Sequence, residues 1–560
     1  MTQMLATTVL PRPTVADEPG MSDDAFYDLV ETRFRRLVTE SPVAGTFFGL
    51  HDRDHELGDG GRESQLAELA ADRAHLTAIE AIDPATLSER ARFERDLELH
   101  NVRRSIFDLD VLRIWERRST ALDTIGDGLF LVFARDYAPL AERLDAITGR
   151  LEDIPTFLEQ SRTRPGGPQV RLWQHIEIEA AAEMPTFFDE LLAASDGVVG
   201  PPEHRRLLRA TDNAKIAVEL YGQWLEGTLA DGTDEWAIGR ERHDALVAHR
   251  AFDGLDADAI LALGWQRLAE EQEARTAEAR RVDPDAPVGD VVDRIKRDHP
   301  ATFPAALDAY RDAMVRARSH LIHHGLVTVP DDERIDVIET PEYLRNVVPF
   351  AAYFEPATFD ADPKGIYIVT PSVDGDANAM REHNLASISN TSIHEAYPGH
   401  HLQLDRARRH PSLTRLVTDA PEFVEGWGMY SELLMREQGF DAGPRFRVMM
   451  HTDAIWRACR IILDVRMHRG EVTLEEAIDF IVEHTSFERA NAAAEARWYT
   501  YRPTYPLSYL LGRTLLLNLR ADEQARLGDS FSLKGFHDTL LRNGSLPISF
   551  HRRLLAGEGV

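Results

Sequence analysis

Asn390-Thr-Ser-Ile-His-Glu-Ala-Tyr-Pro-Gly-His-His-Leu-Gln403 gathers His394, Glu395, His400 and His401 into one short run. His followed directly by Glu, with more His close behind, is the pattern by which a helix gives one imidazole to a metal ion and sets a carboxylate beside the water that the metal activates. The usual spacing, His-Glu-x-x-His, puts its two His on one helix face, about 40° apart. Here the fifth position is Pro398. His400 would be rotated by roughly 240° from His394 on a straight helix, and His401 would return to the same face roughly 10 Å further along the axis. A regular helix therefore cannot bring these side chains to one ion. Pro398 lacks an N–H and Gly399 has little helical preference, so an irregular turn between His394 and His400 is expected, which would bring the two together. The alternative is a helix that ends at Tyr397 with exposed His beyond it.

The run His394-Glu-Ala-Tyr-Pro-Gly-His-His-Leu-Gln403 resembles the signature of a bacterial family labelled "domain of unknown function 885". Four further blocks look like family blocks: Ser41-Pro-Val-Ala-Gly-Thr-Phe-Phe-Gly-Leu-His51, Gly365-Ile-Tyr-Ile-Val-Thr-Pro371, Glu425-Gly-Trp-Gly-Met-Tyr-Ser-Glu432 and Phe536-His-Asp-Thr-Leu-Leu-Arg-Asn-Gly-Ser-Leu-Pro547. The resemblance covers nearly the whole chain. Members of that family are similar to gluzincin-type metallopeptidases, which include carboxypeptidase Taq, thimet oligopeptidase and the angiotensin-converting enzymes. The resemblance implies a mainly α protein, a large helical zincin-like fold with a small β-sheet beside the catalytic helix. It implies one Zn2+ per chain, held by His394, by His400 (with His401 as the alternative) and by a Glu on a second helix downstream. Glu425 lies in that window and follows Phe423-Val424 as the metal-binding Glu does in the oligopeptidases. Glu395 would be the general base. Glu432, two turns along the same face from Glu425, would orient a ligand from behind, and the flanking Gly426-Trp427-Gly428 is odd for an ordinary surface helix.

Two other stretches stand out. Asp464 and His468 form an i, i+4 pair on a helix otherwise apolar enough to be buried, where polar groups need partners. Either is expected to orient a zinc-bound His, to contact substrate, or to be satisfied within the core. Arg497-Trp-Tyr-Thr-Tyr-Arg-Pro-Thr-Tyr-Pro-Leu-Ser-Tyr509 carries four Tyr and two Arg. Related peptidases use such Tyr to hydrogen-bond a tetrahedral oxyanion and basic residues to hold a peptide carboxylate. By that resemblance Tyr499 and Tyr509 are catalytic candidates and Arg502 a substrate-binding one. The family pattern has Pro-Gly-Gln where this chain has Pro503-Thr504-Tyr505.

Composition bounds the remaining possibilities. The chain has 560 residues, 43% hydrophobic, and a net charge of -31. Such an acidic chain is repelled by phosphate backbones, which argues against nucleic acid or an anionic membrane as partner. No apolar run is long enough to cross a bilayer. The single Cys459 rules out an intrachain disulfide framework and fits a cytoplasmic location. Residues 1–20 have no basic start with a sustained apolar run and read as a disordered leader.

From Ser22 helical periodicity dominates to about residue 325, in segments 63–81, 90–115, 137–162, 177–193, 203–227, 241–250 and 256–281. Short β-rich runs follow at 326–329, 335–340, 350–355 and 365–370, bounded by Pro, Asp or Gly. They predict a small sheet preceding the His394 helix, with a strand able to pair with substrate backbone; Tyr367 on the last run is a substrate-contact candidate. Helices return to the end of the chain, at 447–467, 473–484 and 505–525 among others. Residues 21–325 and 326–560 read as a helical lobe and a catalytic lobe of one unit. The leading expectation is a zinc-dependent hydrolase of small peptides or amino-acid amide conjugates. The alternative is a non-catalytic protein that keeps the fold and binds a ligand or partner. No Gly-x-Ser-x-Gly elbow supports a serine hydrolase, and oligomeric state is not legible.

Overall fold

Phe26, Val30, Phe34 and Val38, each four residues after the last, are the buried stripe of the first helix, Asp23–Glu40, and the same amphipathic logic shapes most of the chain. The computed structural model describes residues 10–13, 20–341, 345, 348, 351–371, 379–485 and 487–559. It is 70% helix and 3% strand. The leader expected at 1–20 lies mostly outside the described residues.

The chain divides into two compact units. One comprises Met1–Trp236, Ala357–Pro363 and Pro411–Thr414, and the other Ala237–Pro356, Lys364–His410 and Arg415–Val560. The sequence reading put its boundary at 325, where strands replace helices; here the helices from 240 to 324 belong with the second unit, because their apolar faces bury residues such as Val247, Ile260 and Leu321 in its core.

In the first unit the expected helices appear as Arg62–Glu80, Leu140–Ser161, Arg171–Ala193 and Pro201–Thr228. The segment read as one helix at 90–115 breaks. Glu89–Phe107 runs into a wide turn, Asp108–Leu112, whose Arg113 N–H closes back on Asp108. His51 ties the segment around Asp360 into this unit. Its Nδ1 and Nε2 each lie 2.7 Å from a carboxylate, Asp54 and Asp360, while its ring stacks on Tyr137 at 3.4 Å.

The second unit carries α1 (Ala257–Val282), α2 (Phe303–His324), β1 (Ile335–Glu339), β2 (Ala351–Phe354), β3 (Gly365–Val369), α3 (Leu385–Glu395), α4 (His400–Ala407), α5 (Pro421–Glu437), α6 (Pro444–His468), α7 (Arg489–Tyr499) and α8 (Ser508–Leu527). The sheet has order β1-β3-β2, with β1 parallel and β2 antiparallel to β3. All five β3 residues are buried, and Val337, Tyr367 and Val369 pack with Tyr310 of α2 and Ile388 of α3. The run 326–329 expected as a strand forms none among the described residues and bends at Val327; its Leu326 and Val327 are buried in the helical core instead. Helices α5 and α8 touch through glycine. A Cβ on Gly512 would fall 1.9 Å from the Glu422 carbonyl oxygen, and one on Gly426 would fall 2.6 Å from the Gly512 Cα. Buried Glu271 of α1 joins α6 and α8 by pairing with His451 at 2.6 Å and with Arg513.

Candidate metal centre

Helix α3 opens on Asn384, whose side chain accepts from the Ser387 N–H, and stops at Glu395. Beyond it the chain turns sharply: the Gly399 N–H reaches back to the Ile393 carbonyl at 3.0 Å, and a new helix begins at His400. The Tyr397–Pro398 peptide is cis. A Cβ on Gly399 would lie 1.8 Å from the His394 carbonyl oxygen, so no other residue fits this approach. The Trp427 indole N–H, from α5, donates to the Pro398 carbonyl at 2.7 Å and pins the turn from the side. The two helices that a regular spacing would have kept in line are thus folded so that His394 and His400 face each other, their rings 4.7 Å apart and perpendicular.

Glu425 comes to the same point from α5. Its Oε2 lies 3.6 Å from His394 Nε2 and 3.3 Å from His400 Nε2, and one ligand atom from each of the three residues lies within 4.8 Å of the others. Two donors about 2.0–2.1 Å from one tetrahedral ion stand about 3.3 Å apart, close to the two separations that Glu425 makes with the imidazoles. All three residues are buried. Behind them, Glu432 accepts from His394 Nδ1 at 2.8 Å and from Asn390 at 2.9 Å, which turns the imidazole so that Nε2 points at Glu425. Tyr505 donates its hydroxyl to Glu425 Oε1 at 2.7 Å.

The electrostatics ask for positive charge at this spot. Burial alone would lower the His394 pKa, yet Glu425 and Glu432 raise it to about 10. Burial would likewise raise the Glu425 carboxyl, and the two imidazoles hold it well below the usual carboxylate range. Two histidines and a buried carboxylate, with an oriented imidazole, form a donor set suited to zinc.

Glu395 sits next to the cluster without joining it. It lines the same cavity, of about 390 Å³, together with residues of β2, α6 and α8. Burial raises its pKa, and no hydrogen bond to its carboxylate is found among the described residues. Gly428 explains the odd Gly-Trp-Gly: the His394 ring lies flat on the α5 backbone, where a Cβ would come within 2.6 Å of it.

The remaining residues singled out in the sequence are placed as follows. His401 is fully buried with both ring nitrogens engaged, Nδ1 with the Tyr353 hydroxyl at 2.9 Å and Nε2 with Glu333 at 2.7 Å, so it faces away from the cluster. Tyr509 lines the cavity, its ring nearly parallel to that of His394 at 6.5 Å. Burial and neighbouring Glu425 raise its pKa, keeping the phenol protonated. Tyr499 is buried and donates to Glu495 at 2.7 Å, and it does not reach the cavity wall. Arg502 is exposed and is not part of that wall. Tyr367 is buried in the sheet, edge-on to Tyr310. Asp464 and His468 lie in the last two turns of α6 and do not line the cavity: Asp464 holds His243 at 2.9 Å and the Thr504 N–H at 2.8 Å, and His468 meets the Tyr499 carbonyl at 3.0 Å. Both side chains therefore take hydrogen-bond partners from the core. Tyr505 and Arg457 were not among the sequence candidates. Arg457 had a signal, since Asp453, Trp456, Arg457 and Arg460 fall on one face of α6.

Residues 42–555 match the family described as "Bacterial protein of unknown function (DUF885)". The chain belongs to the DUF885 family. Two solved structures share its fold: a "putative lipoprotein of unknown function" from Shewanella oneidensis, at 22% identity and TM-score 0.77 over 95% of this chain and 99% of that one, and a "putative lipoprotein" from Colwellia psychrerythraea, at 17% identity and TM-score 0.82 over 96% and 98%. No curated protein matches the chain. The expectation of a cytoplasmic protein finds no support in those descriptions. Among the described residues no helix is long and apolar enough to cross a membrane.

Proposed function

We propose that this DUF885 chain is a zinc-dependent amide hydrolase, most simply a peptidase of small peptides or amino-acid conjugates, with a zincin-like arrangement. The observation that carries the reading is the convergence of His394 Nε2, His400 Nε2 and Glu425 Oε2 next to a free Glu395 carboxylate in one cavity. A zinc ion held there would polarise a carbonyl and acidify a water molecule. The protein's own groups then divide the work. Glu395 takes the proton from the attacking water and returns it to the leaving amine, a role that suits a carboxyl whose pKa is raised by burial. Glu432 and Tyr505 keep the ligands aimed. Tyr509, protonated and beside the cluster, is positioned to donate to the developing oxyanion. Edge strand β2 contributes Ala351, Ala352 and Tyr353 to the cavity wall, where an extended substrate could align. A cavity of about 390 Å³ is near the small end for ligand sites, which favours short substrates over folded chains.

The test is metal analysis of protein purified without added metal, followed by a mixed peptide library read by mass spectrometry. One zinc per chain, lost in His394→Ala, is expected, as is Glu395→Gln with full zinc and turnover lowered by about 100-fold or more. Absence of metal from folded wild-type protein would overturn the reading in favour of a non-catalytic binder. Wild-type turnover in fully metallated Glu395→Gln would overturn the assignment of the base.

A further inference from the structure

Six carboxylates line the cavity, and five of them have partners. Glu425 faces His394 and His400, Glu432 holds His394 and Asn390, Asp453 accepts from Asn390, Glu382 pairs with Lys296, and Glu495 is gripped by Arg460. Arg460, the neighbouring cation, is fully engaged: two of its nitrogens bond Glu495, and Trp456, Trp498 and Tyr509 surround it at 4.2–5.0 Å. Two charged groups of the wall remain without a hydrogen bond among the described residues, Glu395 and Arg457.

Arg457 is an unusual thing to leave so. Its Nε and Nη1 are buried with no partner, and its guanidinium lies over the Trp456 ring at 3.6 Å and within 6.0 Å of Tyr509. Stacking fixes the plane of the guanidinium and shields its faces, and with Nε and Nη1 covered the Nη2 side is what Arg457 offers to the cavity it lines. An unpaired buried donor pair is costly, and a planar fork beside a rigid aromatic is the usual receptor for a carboxylate, which it meets with two parallel hydrogen bonds. The nearby carboxylates lower the local potential without approaching within ion-pair distance of Arg457.

We propose that Arg457 anchors a carboxylate of the substrate, so that the cavity takes acidic small molecules: peptides or amino-acid conjugates with either a free C-terminal carboxylate or an acidic side chain next to the cleaved bond. The proposal deepens the hydrolase reading and rests on it for the word substrate, although the anchor itself is a binding property. In this proposal Arg457 takes the substrate-binding part expected of Arg502, which is exposed.

Calorimetric binding to metallated Glu395→Gln protein tests it with three probes: N-acetyl-Ala-Phe, its C-terminal amide, and N-acetyl-Ala-Glu amide. At least one carboxylate-bearing probe should bind about 10- to 100-fold more tightly than the neutral amide, the range for a charge-assisted pair. Which one does so separates a terminal from a side-chain carboxylate. Adding Arg457→Gln should bring the three probes together while zinc content and melting temperature stay put, and Arg457→Lys should recover part of the preference. Equal binding of all three probes, no binding of any, or an undiminished preference in a folded Arg457→Gln protein would overturn the proposal. Metal-free protein that still prefers the carboxylate would sink the hydrolase reading and leave the anchor standing.

Discussion

Replacing Gly428 by Ala should disable the metal centre without touching a ligand. A Cβ at this position would stand 2.6 Å from His394 Cε1, 2.7 Å from Nε2 and 2.9 Å from Nδ1. Ordinary contact between such atoms is about 3.5–4.0 Å, so the imidazole has to retreat by roughly 1 Å. Metal–ligand distances tolerate only about 0.2 Å. The displaced ring also leaves Glu432, its orienting partner at 2.8 Å. Loss of such an orienting partner alone costs about 10- to 100-fold in metal affinity, and moving the ligand itself should reach the upper end, about 100-fold. The fold should survive. Ala gains about 1 kcal/mol over Gly in a helix interior, which offsets much of the roughly 1–3 kcal/mol of overpacking. Zinc affinity by competition with a chromophoric chelator, beside thermal unfolding of both proteins in EDTA, separates the two effects. A folded Gly428→Ala protein that binds zinc as tightly as wild type would refute the argument that the ring must lie on bare backbone.

Other substitutions should fail differently. Gly426→Ala meets the Gly512 backbone, not a flexible side chain, so it should lower stability by about 1–3 kcal/mol or more in metal-free protein, read by urea unfolding. His401→Ala leaves all three ligand atoms in place but strips partners from buried Glu333 and Tyr353. It should bind zinc near wild-type affinity and melt earlier, whereas His400→Ala should lose the metal. In the first unit, burial opposes protonation of His51, but Asp360 and Asp54 raise its pKa from 6.5 to about 9. A raised pKa stabilises the protonated fold, so this contribution is complete below pH 6.5 and disappears as pH rises through about 9. Its size is at most about 3 kcal/mol. Unfolding free energy should therefore fall between pH 7 and 9.5 in wild type and less so in His51→Gln; parallel pH profiles would contradict this.

Much of the helical framework was legible because amphipathic helices write their buried face into the sequence every three to four residues. The body of α6, read as 447–467, and the helix at 140–161, read as 137–162, follow from that period to within three residues at each end. The break at 108–112 did not, since the wide turn keeps apolar residues coming at helical spacing while the backbone changes its bonding. In the site, the Pro398-Gly399 pair announced a turn, and the structure brings His394 and His400 together across it. What one sequence could not give were the contacts made between distant segments. Gly426 and Gly428 looked alike, yet one meets a neighbouring helix and the other an imidazole. Of the tyrosines around 499–509, Tyr505 donates to Glu425 and Tyr509 lies beside the same carboxylate, a choice set by how the turn enters α8 and not by residue type.

The glycine contact between α5 and α8 also says what can move. Two helices that cross backbone to backbone at Gly426 and Gly512 cannot rock or slide there without driving peptide groups into each other or opening a gap, because no side chain at the crossing can change rotamer. The carrier of Glu425 and Glu432 and the carrier of Tyr509 therefore behave as a single stiff body. Any opening that admits a ligand belongs to the other walls, edge strand β2 or the Trp456–Phe487 side, and breathing of the protein there leaves the geometry of the ligand atoms undisturbed.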